Sequence, residues 1–131
     1  MLAGCGGGQL SHASFVKRAD AICTAYRSGA KPLPSPTSYK QVVAYASHNL
    51  PLYEAALQQL GKLKPPKADK AQAKLWLAAD RRVAAAVSAL GQAALRRDFP
   101  GVTAATAKLQ VAGLQSSRNA NQLGLQVCGK L

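Results

Sequence analysis

Acidic residues are scarce in this chain of 131 residues, which carries 5 Asp and Glu against 17 Lys and Arg. Its one glutamate is Glu54, and its histidines, His12 and His48, lie elsewhere. Hydrolysis by paired carboxylates needs two close acids, and di-iron bundles need several inward glutamates with histidines. The chain also lacks a G-x-S-x-G elbow, a P-loop and a dinucleotide fingerprint. We therefore expect no enzyme, no catalytic residue, no metal site and no cofactor.

Long apolar runs are also missing, and none is long enough to cross a membrane as a helix. Aromatic residues make up 5% of the chain, whereas 48% of it is hydrophobic. Ala, Leu and Val dominate that fraction, and Ala and Leu favour helix over strand. This length and composition indicate one helical domain with a core of its own.

Apolar residues recur at spacings of three and four in four segments, which predicts helices at about 14–28, 38–62, 66–97 and 102–127. Short turns between them predict an all-α, up-down-up-down four-helix bundle. A Pro-rich segment joins the first two helices and is expected to pack along the bundle over residues 32–36. Pro51 is expected to kink the second helix without breaking it. Asp80 interrupts the third apolar stripe and is expected to pair with Lys or Arg.

The N-terminal residues Leu2-Ala3-Gly4-Cys5 match a bacterial lipobox, and three glycines follow the cysteine as a flexible tether. This predicts a lipid-anchored domain on the extracytoplasmic face of the cell membrane, or a secreted one. Residues 1–13 form the lipobox remnant and tether, and residues 14–131 form the bundle. Only Met1 precedes these four residues, where a signal peptide needs a basic and an apolar region, so if Met1 is the true start, export fails and the cysteines stay reduced.

The other two cysteines, Cys23 and Cys128, fall near the end of the first and last predicted helices. Neighbouring helices of a bundle allow a disulfide there, which would close about 100 residues. Two buried free thiols are the alternative.

Two further groups of residues are candidate binding sites. The turn between the second and third helices is expected at the same end as the N-terminus, where its lysines would dock on anionic lipid or wall polymer. These lysines are Lys62, Lys64, Lys67, Lys70 and Lys74. Tyr45, His48 and Tyr53 surround the Pro51 kink and could line a small-ligand or haem pocket. With a net charge of +12, nonspecific binding of nucleic acid is a further alternative, although no specific motif for it is present.

Two segments carry a family resemblance: residues 15–23, Phe-Val-Lys-Arg-Ala-Asp-Ala-Ile-Cys, and residues 123–129, Leu-Gly-Leu-Gln-Val-Cys-Gly. Together with the lipobox and a Pro-Pro turn, they resemble small actinobacterial lipoproteins of unknown function. The resemblance implies a helical, disulfide-linked and surface-tethered domain. It implies no catalytic residues. Separately, we expect an unknown protein partner.

Overall fold

The computed structural model describes residues 8–33, 35 and 38–131 and confirms the helical bundle. Its helices are α1 (His12–Gly29), α2 (Tyr39–Gly61), α3 (Lys70–Leu95) and α4 (Phe99–Gln122). Short 3-10 helices precede α3 at Lys67–Asp69 and end the chain at Cys128–Lys130. No strand occurs in these described ranges.

Local capping explains where the first two helices begin. The Ser11 hydroxyl accepts the Ser14 amide at 3.1 Å, so α1 starts two residues earlier than the apolar pattern indicates. Ser38 and Gln41 form a reciprocal capping box, with distances of 2.8 and 3.2 Å. A box of this kind satisfies two amides that the first helical turn leaves without partners. Helix α2 continues through Pro51, as predicted.

The fourth helix differs most from its prediction, because it ends at Gln122 and not near residue 127. Gly124 adopts φ +80°, and the Leu125 amide donates to the Ala120 carbonyl at 3.0 Å. This is a Schellman termination, in which glycine takes the left-handed conformation that closes a helix. The apolar pattern runs on because Leu125 folds back into the core at 1% exposure, and Cys128 lies in the following turn.

Packing divides the bundle into two halves. At one end all four helices share a core that includes Phe15, Leu60, Trp76 and Ala120. At the other end Val42, Leu90 and Ala105 form a smaller core from α2, α3 and α4 alone. With 18 residues against 24, α1 is about 9 Å shorter than α4 at 1.5 Å per residue. The half of the bundle that contains Val42, Leu90 and Ala105 therefore lacks a fourth helix.

The segment after α1 is bound to α2 at its start. Asn49, which is 3% exposed, accepts the Lys31 amide at 2.9 Å and donates to the Lys31 carbonyl at 2.7 Å. Leu33 then borders a groove beside Tyr39 and Phe99. The prediction that residues 32–36 pack along the bundle falls partly on Pro34 and Pro36, which lie outside the described residues.

Candidate functional site

The lysine end of the bundle consists of Lys62, Lys64, Lys67, Lys70 and Lys74, and all five side chains are exposed. The N-terminal segment lies against it, because the Leu10 amide donates to the Lys64 carbonyl at 2.7 Å. At the first residue of α1, His12 Nδ1 lies 2.5 Å from Asp69 Oδ2. These contacts bring the start of the described chain and the lysines to the same end of the molecule, where the sequence pattern puts them.

The proposed lipidation site, Cys5, lies outside the described residues. Among the helices that are described, none has the length and apolar character required to span a membrane. Cys5 and Leu10 are five positions apart in the sequence, so at most about 18 Å of extended chain joins the two.

A cavity of about 270 Å³ lies inside the bundle and receives side chains from all four helices. Its aromatic and polar walls are formed by Tyr26, Tyr45, Tyr53, Trp76, Asp80 and Ser116. The remaining wall residues are small or aliphatic, apart from the two half-cystines. No Lys, Arg or His is among them.

The structure brings together two of the three predicted pocket residues. Tyr45 and Tyr53 line the cavity, whereas His48 does not. The His48 ring instead contacts the last residue of α1, with Nε2 2.8 Å from the Gly29 carbonyl oxygen. The structure therefore places His48 apart from Tyr45 and Tyr53, because α2 turns its side chain toward the connection from α1.

Asp80 is the charged residue of the cavity wall and is 5% exposed. The Tyr53 hydroxyl donates to its Oδ1 at 2.8 Å, and the Ser116 hydroxyl donates to the same oxygen. Burial raises the pKa of Asp80, although these two hydrogen bonds oppose the shift. The expected pairing with Lys or Arg is wrong, because the hydroxyls of α2 and α4 reach the carboxyl group where the bundle excludes basic side chains.

Two tyrosines of the cavity wall pack edge to face. The rings of Tyr26 and Tyr53 have centroids 5.2 Å apart and planes at 76°. Burial raises the pKa of Tyr26 to about 12, and burial followed by the nearby Asp80 carboxyl group raises that of Tyr53. Both hydroxyls therefore stay protonated over a wide range of pH and remain hydrogen-bond donors.

Trp76 forms another wall of the cavity at 1% exposure. Its Nε1 is buried without a hydrogen-bond partner among the described residues. A buried indole N–H normally finds an acceptor, so this unsatisfied donor next to a cavity favours a ligand site.

The predicted disulfide is present between Cys23 and Cys128, with Cα atoms 5.3 Å apart. Asp20 fixes the same connection, since its carboxylate accepts the amides of Gln126, Val127 and Cys128 at 2.9, 2.9 and 3.1 Å. Both half-cystines line the cavity. The C-terminal turn is thus clamped to α1 and closes one side of the cavity.

Sequence reasoning missed Tyr26, Ser116 and the role of Asp80. Each lies in the buried stripe of a different helix, at a position where an apolar residue is expected. Polar residues in the buried stripes of several helices indicate a shared polar cluster, but the spacing within one helix does not reveal which residues meet.

These residues are suited to holding a small molecule. No group of three or more His, Cys, Asp or Glu within the described part of the chain could hold a metal ion. The cavity combines a buried carboxyl group, hydroxyl and indole donors and aromatic faces. Comparison of the chain with known protein families, curated proteins and solved structures found no match.

Proposed function

We propose that this chain is a surface-tethered, non-enzymatic domain of the bacterial cell envelope that docks on anionic envelope components through its lysine end. The observation that carries the proposal is the hydrogen bond from Leu10 to Lys64, which holds the N-terminal segment beside the lysines. A lipid attached at Cys5 would bring the lysine end within reach of the membrane surface. The resemblance to small actinobacterial lipoproteins supports the same arrangement.

Charge balance at this end favours docking. Residues 62–74 contain five lysines and a single acid, Asp69, which is already close to His12. Each lysine near an anionic membrane contributes about 1 kcal/mol, so the five together contribute up to about 5 kcal/mol. A basic patch of this size is a typical second signal beside an acyl anchor.

Vesicle binding by the unlipidated Cys5→Ser protein tests the docking surface. Replacing Lys67, Lys70 and Lys74 with Gln removes three charges from the lysine end and keeps good helix formers. We expect the affinity for phosphatidylglycerol vesicles to fall by up to roughly 100-fold, since about 1 kcal/mol per lysine is lost. Vesicles of phosphatidylcholine should bind neither protein measurably.

A matched control removes three charges from the opposite end. Lys40, Arg96 and Arg97 are exposed and lie at the α2 N-terminus and the α3 C-terminus. Replacing them with Gln should change the affinity by less than about threefold, as long-range charge effects are screened. Equal losses in the two triple variants would reject a specific docking surface and favour binding by net charge alone.

Two further binding experiments identify which anionic polymer or surface the lysine end binds. Teichoic acid in place of vesicles tests the wall polymer, and duplex DNA tests the nucleic-acid alternative. Binding of DNA with the same affinity and the same sensitivity to the lysine-end variant would contradict an envelope role. The anchor itself is tested by expressing the chain behind a lipoprotein signal sequence, where Cys5→Ser should abolish the added lipid mass.

A further inference from the structure

Asp80 is only half satisfied by the protein. Both hydroxyl donors bond to Oδ1, and none of the described residues donates a hydrogen bond to Oδ2. Oδ2 is not one of the fully buried polar atoms without a partner, of which the described residues contain Trp76 Nε1 alone, so it stays accessible to a donor that enters the cavity. The free oxygen belongs to a residue of the cavity wall.

The charge of this carboxylate has no counterion in the cavity. The lining residues include no Lys, Arg or His, although the whole chain carries 17 Lys and Arg. The positive side chains are thus on the outer surface, and the negative group is inside. An isolated buried charge is stabilised when a cation approaches it in the low-dielectric interior.

The aromatic rings of the cavity wall are also suited to binding a cation. Tyr26, Tyr45, Tyr53 and Trp76 all contribute to the cavity wall. Aromatic faces attract cations within about 6 Å of the ring centre, and the attraction increases when water is excluded. A carboxylate together with several aromatic rings is therefore complementary to an ammonium group.

We propose that the cavity binds a compact organic ammonium compound, whose N–H donates to Asp80 Oδ2 and whose apolar body packs against the tyrosines and Trp76. The volume of about 270 Å³ limits the size of the ligand. An engineered cavity of about 150 Å³ accommodates benzene, so this one has room for about ten to twelve non-hydrogen atoms. This site is independent of the docking surface.

Other ligand classes fit less well. An anion would meet the Asp80 carboxylate, and a hydrocarbon would leave Oδ2 without a donor. The net charge of +12 slows the encounter with cations, but fields from exposed charges are screened beyond about 8 Å at physiological ionic strength.

Fluorescence of Trp76 measures binding directly, because it is the one tryptophan of the chain. Phenethylamine serves as the cationic probe, phenethyl alcohol as its neutral isostere and phenylpropionate as an anion of similar shape. We expect the amine to bind about 10- to 100-fold more tightly than the alcohol, as for a hydrogen bond to a charged group. The anion should not bind. An alcohol that binds as tightly as the amine would overturn the proposal.

Asp80→Asn tests the carboxylate, and Glu54→Gln is its matched control because Glu54 is an exposed acid on the neighbouring helix α2. Asp80→Asn should weaken amine binding at least tenfold, and Glu54→Gln should leave it unchanged. If Asp80→Asn does not fold, Gly113→Leu supplies a second test, since a Cβ at Gly113 meets no atom within 4 Å and the side chain would enter the cavity. Unchanged amine binding in either folded variant would contradict the assignment.

Discussion

Reduction of the Cys23–Cys128 disulfide should remove a large part of the stability of the domain. The bond joins residues 105 apart, and a loop of that length lowers the entropy of the unfolded chain by an amount worth about 4.7 kcal/mol at 25 °C. Asp20 holds the C-terminal turn through three amides without help from the sulfurs. The folded state should therefore survive reduction, and the loss should arise mainly in the unfolded state.

Urea unfolding of the Cys5→Ser protein, oxidised and reduced, measures this loss. In thermal unfolding, a loss of about 4.7 kcal/mol should lower Tm by about 17 °C for this chain, because the unfolding entropy is about 2.1 cal/mol/K per residue. The m-value should rise on reduction, because the unfolded chain expands and exposes more surface. The Cys23→Ala variant, which cannot form the bond, should resemble the reduced protein. A loss below about 1 kcal/mol, the size of one ordinary hydrogen bond, would refute the entropic reasoning.

Three further predictions concern single side chains. Asp20→Asn should cost about 1.5–3 kcal/mol and speed amide exchange in the C-terminal turn, because an amide side chain has one acceptor oxygen instead of two; an unchanged exchange rate would contradict the clamp. Burial raises the pKa of Asp80 above 3.8, so the folded protein keeps that proton to higher pH than the unfolded chain. The free energy of unfolding, compared with that of Asp80→Asn, should therefore fall as pH rises from 3.8 through the folded-state pKa and then level off. If urea unfolding shows that this free energy rises with pH, the prediction is contradicted. Gly91→Ala should cost about 1–3 kcal/mol because its Cβ would lie 2.6 Å from that of Ala46. A Cβ at Gly113 meets open space, so Gly113→Ala should increase the free energy of unfolding by about 0.5–1 kcal/mol. If urea unfolding gives the same change for Gly91→Ala and Gly113→Ala, the close approach of α2 and α3 is rejected.

Much of the architecture is predictable from local sequence. Ser11, Ser38 and Asp98 are side chains of the type that caps helices, and each caps a helix here. The seam of α2 keeps its phase through Pro51, which indicates a continuous helix in advance. The pattern misleads at Leu125 because a core residue in a folded-back turn has the same spacing as one on a longer helix. Gly124 carries the missing information, since its φ of +80° ends α4.

The cavity is less predictable because it depends on the relative rotation of four helices. Tyr45 and Tyr53 are recognisable from their proximity to Pro51, and Asp80 is recognisable as a polar interruption of an apolar stripe. Their meeting with Tyr26 and Ser116 depends on tertiary packing, which periodicity within one helix does not encode. His48 shows the same limit, because its partner, the Gly29 carbonyl, becomes visible only when the turn after α1 is placed.

The clamp between α1 and the C-terminal turn also determines how the domain transmits mechanical force. Along the covalent chain, a pull on the N-terminal segment passes through α1 and reaches the Cys23–Cys128 bond before it reaches α2, α3 or α4. When the opposing load acts on the C-terminal residues, the covalent bond transfers it directly across the 105-residue interval. The three longer helices, and the cavity walls that they contribute, then remain unstretched while the first turns of α1 bear the tension.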